Sequence, residues 1–178
     1  MASSGRPPRR DAIRLAEPGD VDRLNDIERR AQALFQPYGL ADAFASHLVA
    51  PAVLRSAQRA GRLFVATDPA DEPIGFALVV RLHAWAQLAE VDVVPEWGRR
   101  GVGTALVERA IDWARAQGFG AMVLSTMRDV PWNAPFYRRL GFETIAPEHL
   151  PAELRKLRAE EARRGLPVGD RVIMKLEL

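Results

Sequence analysis

The chain has 178 residues, 48% of them hydrophobic and 27% charged, which predicts one folded domain and excludes a low-complexity protein. It contains no cysteine, which excludes disulfides, thiolate metal sites, iron–sulfur clusters and a cysteine nucleophile. The net charge of +2 depends on three arginines among the first ten residues, and the rest of the chain is nearly neutral, so nucleic acid is not expected as a partner.

The first ten residues differ in composition from the rest of the chain. Residues 1–10 are predicted to be a disordered basic tail, and residues 11–178 a single domain. The tail has no apolar run after its charges, unlike a secretory signal. No apolar stretch of the chain approaches the length of a membrane-spanning helix. We therefore expect a cytoplasmic protein with no membrane partner.

The first half of the chain predicts a strand, two helical stretches and a hairpin. Asp20 stands where it can cap the first helix, and Pro51 interrupts the second helical stretch. The first helix has an apolar stripe at helical spacing, formed by Val21, Leu24, Ile27, Ala31, Leu34 and Phe35. The elements of this half are strands at 12–16, 63–67 and 74–82, the last two as a hairpin, and helical stretches from 21 to 35 and 41–60.

The second half predicts four strands and three helices. Gly118 and Gly141 are expected as left-handed helix ends, and Asn133 as a helix N-cap. The elements are strands at 87–94, 122–126, 142–145 and 171–178 and helices at 102–117, 134–140 and 151–164. Leu154 and Leu157 form a stripe on the last helix that is expected to pack on its own chain, with a homodimer left open. The whole pattern is that of an α/β (α+β) domain.

The loop before the helix at 102–117 has the strongest chemical signal in the chain. Between a strand and a helix N-terminus, glycines let the backbone approach an anion, and the N–H groups there bind phosphate. Neither a dinucleotide fingerprint nor a P-loop fits the glycine spacing, and a plain strand-to-helix connection is the simpler alternative. The residues of this loop with suitable chemistry are Gly98, Arg99, Arg100, Gly101, Gly103 and Thr104.

Two segments together resemble the GNAT superfamily of N-acetyltransferases. They are VVPEWGRRGVGTALVERA (93–110) and PWNAPFYRRLGFETI (131–145), and the similarity extends more weakly over most of the chain from Ile13. The chain departs from the family in two places. Tyr137 is four residues after Asn133, and Gly98 stands where the family often has Gln or Arg.

The resemblance implies a fold and a co-substrate. It implies a mixed central sheet of about six to seven strands with flanking helices, in which two central parallel strands, 87–94 and 122–126, splay apart in a V. Acetyl-CoA is implied between them, with its pantetheine on the backbone near Val93, and no metal is expected. The cofactor-binding residues that it implies are Val93, Arg99, Arg100, Gly101, Val102, Gly103, Thr104, Asn133 and Phe136.

The resemblance also implies N-acetyl transfer to a primary amine by direct attack in a ternary complex, with Tyr137 protonating the departing thiolate. The amine must first lose a proton, and Glu90 and Asp92, two apart on one strand face, are the candidate bases. In relatives the base often lies near the position of Gln87, and an amide cannot usefully accept a proton. His83 and water therefore remain alternatives to Glu90 and Asp92. Without a catalytic role, Tyr137 would be a core-packing residue. Without a ligand, Asn133 would be a helix cap.

Acceptor specificity is expected from the region that matches the family weakly. The acceptor is a small-molecule amine or a peptide or protein N-terminus, and acidic residues on the first helix would suit a cationic amine. The residues considered are Asp26, Glu28, the loop 35–40, the turn 83–85 and Trp132. The alternative function is a non-catalytic regulatory domain that binds acyl-CoA without turning it over.

Overall fold

Seven strands form one mixed sheet in the part of the chain that the structure, a computed structural model, describes, residues 13–178. The predicted basic tail lies outside these residues. The strands are β1 (Ile13–Leu15), β2 (Leu63–Thr67), β3 (Pro73–Leu82), β4 (Trp85–Val93), β5 (Ala121–Met127), β6 (Glu143–Thr144) and β7 (Arg171–Glu177), in the order β1-β2-β3-β4-β5-β7-β6. The pairs β1–β2, β2–β3, β5–β7 and β6–β7 are antiparallel, and β4–β5 is parallel. The predicted mixed sheet and the β2–β3 hairpin are confirmed.

Six α-helices lie between these strands in the described residues. They are α1 (Val21–Gln32), α2 (Ala41–Ala45), α3 (Pro51–Arg59), α4 (Val102–Ala116), α5 (Ala134–Arg139) and α6 (Ala152–Arg163). The helical stretch expected at 41–60 is two helices, because Pro51 is the first residue of α3 and the five residues before it are not helical. Proline suits this position, since the first helical N–H has no partner within the helix.

The apolar stripe on α1 is buried over its first three turns. Val21, Leu24 and Ile27 are each at most 3% exposed. The stripe ends earlier than predicted, because Leu34 lies in a 3₁₀ turn (Ala33–Tyr38) and is 38% exposed. A charged residue, Glu28, takes a buried place on this stripe instead.

Asp20 precedes α1 as predicted, but its side chain does not cap the helix. Its carboxylate accepts hydrogen bonds from the guanidinium of Arg14 at 2.6 and 3.2 Å and from the N–H of Glu17 at 2.7 Å. The prediction of a side-chain cap was wrong because β1 brings a guanidinium within reach, and a charge-assisted bond is stronger than a neutral cap.

The described chain divides into two compact units, and the first contains β1, β2, α1–α3 and most of α4. It comprises the residues up to Val79 together with Glu90–Asp112. On α4, Leu106, Val107 and Ala110 are fully buried. The guanidinium of Arg109 lies 4.9 Å from the ring centre of Phe64 on β2, so the aliphatic stem of a charged residue also covers the core of this unit.

The second unit comprises Val80–Ala89 and Trp113–Leu178. Its α6 packs on its own sheet through a buried cluster, with Leu157 against it. The members of this cluster are Val123, Leu150, Leu154 and Ile173. The apolar stripe of α6 is therefore covered within the chain, as expected.

Candidate functional site

The loop between β4 and α4 has the backbone geometry of an anion-binding turn. Arg99 and Gly101 have φ angles of 57° and 82°, and the first hydrogen bond of α4 runs from the N–H of Ala105 to the carbonyl of Gly101 at 3.0 Å. A helix leaves its first N–H groups without partners inside the helix. Here these groups belong to Val102, Gly103 and Thr104, at the positive end of a 15-residue helix.

The side chains of the loop differ in what they can offer an anion. Arg99 is exposed, whereas the guanidinium of Arg100 lies 5.2 Å from the ring centre of Trp97. The side chain of Val102 is buried, so this residue can offer only its N–H. Gly101 is required by its positive φ rather than by a close neighbour, since no atom lies within 4 Å of the place of a Cβ there.

β4 approaches β3 very closely beside this loop. A Cβ on Gly75 would lie 2.7 Å from the carbonyl oxygen of Asp92 and 3.1 Å from Cγ2 of Val93. The next residue, Val94, donates its N–H to the carbonyl of Ile74 at 2.9 Å. Glycine at position 75 thus fixes where the end of β4 lies, and with it the backbone near Val93. No local pattern in the sequence marks Gly75 for this role.

Three carboxyl groups of the first unit come together at β4. Oxygen atoms of Glu28 on α1 and of Glu90 and Asp92 on β4 lie within 4.8 Å of one another. The sequence predicted that Glu90 and Asp92 share a strand face, but it did not predict that Glu28 joins them. The available signal was a glutamate immediately after Ile27, within the apolar stripe of α1.

Glu28 is held in place by neighbouring backbone and amide groups. Its residue exposure is 1%, and its carboxylate accepts the N–H of Val49 at 3.0 and 3.1 Å and the side-chain amide of Asn25 at 3.0 Å. Asn25 also donates to the carbonyl of Val49 at 2.9 Å. These bonds compensate for the burial of a negative charge.

Asp92 is in a different electrostatic situation. The residue as a whole is half-buried, but its Oδ2 is shielded from solvent and has no hydrogen-bond partner. Burial, followed by the negative charges of Glu90 and Glu28, raises the pKa of the Asp92 carboxyl well above its usual range. The three-carboxyl cluster therefore retains a proton to a higher pH than separate carboxylates would.

Tyr137 and Asn133 lie in the second unit, on and before α5. The Tyr137 ring has edge contacts with Phe136 and Phe142, at centroid distances of 5.0 and 5.8 Å. Asn133 occupies the N-cap position, but its Oδ1 accepts the N–H of Met127 at 3.3 Å and makes no capping bond. The predicted cap was wrong because the end of β5 offers this amide a backbone donor.

The other sequence candidates are spread over the surface. His83 is exposed in the turn between β3 and β4, with a φ of 52°. Asp26, on the same helix as Glu28, is exposed and lies 3.6 Å from the guanidinium of Arg29. Trp132 is 37% exposed, and Phe35 packs on Phe44 at 4.8 Å between ring centres. Of the two acidic residues considered on α1, only Glu28 belongs to the cluster.

A family model for the acetyltransferase (GNAT) family matches residues 23–142, well over half of the chain, from within α1 to just beyond the end of α5. The chain belongs to this family. The match includes the glycine-rich turn at 98–104, the three-carboxyl cluster and Tyr137, and it confirms the resemblance identified from the two sequence segments.

Curated relatives match part of this GNAT chain. An uncharacterized N-acetyltransferase of Methanocaldococcus jannaschii is 32% identical over 79 residues, 40% of this chain and 35% of that protein. A streptothricin acetyltransferase of Streptomyces lavendulae is 36% identical over 87 residues, 46% of this chain and 44% of that protein. The chain thus matches less than half the length of these relatives.

Solved structures resemble the fold over nearly the whole GNAT chain. The PaiA N-acetyltransferase of Thermoplasma acidophilum, determined in complex with coenzyme A, has a TM-score of 0.70 at 16% identity, covering 93% of this chain and 98% of that one. At this identity the likeness shows the fold alone. Among the helices of residues 13–178, none has the length and apolar character needed to cross a membrane.

Proposed function

We propose that the protein is an acetyl-CoA-dependent N-acetyltransferase that acetylates a primary amine by direct attack in a ternary complex. The observation that carries the proposal is the glycine-rich turn at 98–104, with its positive φ angles, at the N-terminus of α4 and inside the segment that matches the GNAT family. Coenzyme A bound to the PaiA enzyme of similar fold supports the choice of co-substrate.

The turn would hold the pyrophosphate of acetyl-CoA. Its N–H groups at Val102, Gly103 and Thr104 and the exposed charge of Arg99 suit a doubly negative group. Arg100, held against Trp97, adds positive potential without a flexible side chain to order. The backbone of β4 near Val93 would pair with the pantetheine.

The chemistry moves three protons: the ammonium loses one to become a neutral amine, the nitrogen loses a second as the amide forms, and the CoA thiolate gains one. The nitrogen of the neutral amine attacks the thioester carbonyl carbon, the C–S bond breaks, and the amide forms as the nitrogen releases its second proton, which would replace the one that Tyr137 gives to the thiolate. The proton that the ammonium loses would go to the three-carboxyl cluster, with Glu90 or Asp92 as the acceptor. The raised pKa of Asp92 makes this carboxyl a better base near neutral pH than an ordinary one. Tyr137 would protonate the CoA thiolate, and Asn133 and Phe136 would contact the cofactor.

The experiment measures binding and turnover separately. Acetyl-CoA should raise the melting temperature of the protein in proportion to the logarithm of its concentration, because it binds only the folded state. Gly103→Val should abolish this shift by placing a branched side chain among the N–H groups, whereas Gly120→Val, at an exposed site with nothing within 4 Å, should keep it. A folded Gly103→Val protein with full affinity would refute the assignment of the turn.

Turnover is then tested with a panel of amines, by release of CoA and by mass spectrometry of the acceptor. Acetylation of any amine in the panel would support the proposed N-acetyltransferase activity. Tight acetyl-CoA binding with no CoA release across small amines and peptides would instead support the regulatory domain. The streptothricin acetyltransferase among the relatives is a reason to include amine-bearing antibiotics in the panel.

A further inference from the structure

We propose that Asn133 is a positioning residue for Tyr137: its side chain joins the end of β5 to the start of α5 and so fixes where the tyrosine hydroxyl lies. This inference rests on the proposed function, in which Tyr137 protonates the CoA thiolate. It gives Asn133 a role in the transfer step that is separate from any contact with the cofactor. The residues involved, Met127, Asn133 and Tyr137, all belong to the second unit.

The N–H of Met127, the last residue of β5, is directed away from the neighbouring strand β7. Met127 lies opposite Arg171, and the N–H of the next residue, Arg128, donates to the carbonyl of Asp170 at 2.8 Å. In an antiparallel ladder this pattern makes Met127 and Arg171 a pair that exchanges no hydrogen bonds, so the Met127 N–H points to the opposite edge of β5. It therefore requires an acceptor on that edge.

Asn133 supplies this acceptor where strand pairing does not reach. On that edge of β5 the described pairing with β4 ends at Gln87 and Val123, and Met127 lies beyond it. Oδ1 of Asn133 accepts the Met127 N–H at 3.3 Å. A side-chain oxygen thus takes the place of a strand partner, which ties the position of residue 133 to the sheet.

The backbone of Asn133 passes this position on to Tyr137. Its carbonyl accepts the N–H of Tyr137 at 3.0 Å, in the first turn of α5. This helix has six residues, and a helix so short has little stability of its own, so its place depends on contacts at its ends. At the far end, the Tyr137 carbonyl accepts the N–H of Phe142 at 3.1 Å. Without Asn133 the tyrosine would be held from that side alone.

A direct contact between Asn133 and the cofactor is a different role with a different signature. Because Oδ1 is bonded to Met127, the side chain offers a ligand chiefly its two N–H donors. Loss of such a donor would weaken acetyl-CoA binding whatever residue stands at position 137. A displaced hydroxyl would instead slow the proton transfer, and it would do so only while position 137 is tyrosine.

The first test observes the tyrosine directly and needs no acceptor amine. The chain has two tyrosines, so protein labelled with ¹³C at the tyrosine Cζ gives two NMR signals, which Tyr38→Phe assigns. Saturating CoA should shift the Tyr137 signal more than desulfo-CoA, which lacks the sulfur atom, and Asn133→Ala should remove most of this difference. Gln117→Ala removes an exposed amide bonded to Arg81 and should retain it.

The second test is a double-mutant cycle, with the amine that gives the fastest CoA release in the panel. At saturating acetyl-CoA, Asn133→Ala should lower kcat about tenfold, because a catalytic group displaced by about 1 Å loses much of its effect. In a Tyr137→Phe protein the same substitution should lower kcat by less than about twofold. Equal losses of kcat in the two backgrounds would overturn the inference.

Asn133→Asp separates the acceptor oxygen from the N–H donors. It keeps an oxygen for the Met127 N–H, so kcat should stay within about threefold of the natural value and the Tyr137 signal should keep its response to CoA. If Asn133→Ala does not fold, this variant decides. Loss of the Tyr137 response in folded, CoA-saturated Asn133→Asp would overturn the inference, with or without an acceptor amine.

These outcomes are distinct from a failure of the proposed function. A protein that binds no CoA would overturn the proposed function and this inference together. Two results would leave the cofactor assignment standing and overturn this inference alone. One is CoA binding without a sulfur-dependent shift of the Tyr137 signal, and the other is the same shift in Asn133→Ala as in the natural protein.

Discussion

The guanidinium of Arg171 on β7 lies 3.0 Å from the carboxylate of Glu161 on α6, and both side chains are nearly buried, at 13% and 9% exposure. Arg171 also donates to the carbonyl of Ser125 on β5 at 2.9 Å, and the Ser125 hydroxyl donates to Glu161 at 2.8 Å. This closed network joins α6 to two strands of the second unit. Its polar members satisfy one another at a place where water has little access.

Arg171→Met should destabilise the protein by about 3–5 kcal/mol, because it leaves the Glu161 carboxylate buried without its cation. Urea unfolding followed by circular dichroism measures this loss. Arg163→Met is the control, since Arg163 pairs with Glu160 at 3.8 Å on the exposed side of the same helix and should change stability by less than about 1 kcal/mol. Equal losses in the two variants would contradict a special role for the buried pair.

Asp92→Asn should stabilise the free protein near neutral pH by about 1–2 kcal/mol, since it removes a charge whose buried oxygen has no partner. The pKa of Asp92 is raised in the folded state, so the folded state binds this proton more tightly than the unfolded state. Stability contributed by that proton is present at acid pH and is lost as pH rises from the usual aspartate range through the raised pKa.

The measurement for Asp92 is the free energy of unfolding between acid and neutral pH. The fall with rising pH should be smaller in Asp92→Asn than in the natural protein, and unchanged in Asp26→Asn. Identical slopes in all three proteins would show that Asp92 does not hold the proton.

Gly75→Ala should cost about 1–3 kcal/mol, because its new methyl group would lie 2.7 Å from the carbonyl of Asp92 and the strand must shift. It should also weaken acetyl-CoA binding, since the end of β4 moves with that carbonyl. Gly120→Ala introduces the same methyl group where no atom lies within 4 Å, and its effect should be within about 0.5 kcal/mol. Thermal melts with and without acetyl-CoA report both effects together.

Tyr137→Phe should lower kcat by about 10²-fold, the low end for a positioned acid, because the CoA thiol is a fairly good leaving group. Folding and acetyl-CoA affinity should be retained, since the ring contacts with Phe136 and Phe142 remain. The chain's other tyrosine, Tyr38, is 45% exposed, and Tyr38→Phe is the matched control. An unchanged kcat in Tyr137→Phe, with chemistry rate-limiting, would reject the acid role.

Local patterns in the sequence predicted the secondary structure well. Gly118 and Gly141 end α4 and α5 with φ angles of 77° and 91°, because a left-handed residue after a helix has a strong and local preference for glycine. The strand β2 is observed at its predicted bounds, and β3 and β7 differ by one residue. Such signals depend only on neighbouring residues and the period of apolar positions.

Contacts between distant parts of the chain were not predictable in the same way. Asp20 and Asn133 were placed correctly, but their side chains bond to Arg14 and Met127 rather than to the helices they precede. The requirement for glycine at position 75 and the meeting of Glu28 with β4 both depend on packing between elements. A single sequence gives the residue types for such contacts but not the partner.

Glu28 contacts groups of different kinds: the N–H of Val49 and the side-chain amide of Asn25, which donate to its carboxylate, and the carboxyl groups on β4. A substitution there would disturb the chain path into α3 as well as the charge of the cluster. A neutral residue at position 28 would therefore be tolerated only together with compensating changes near Val49, where the N–H that now bonds to Glu28 would otherwise lose its acceptor.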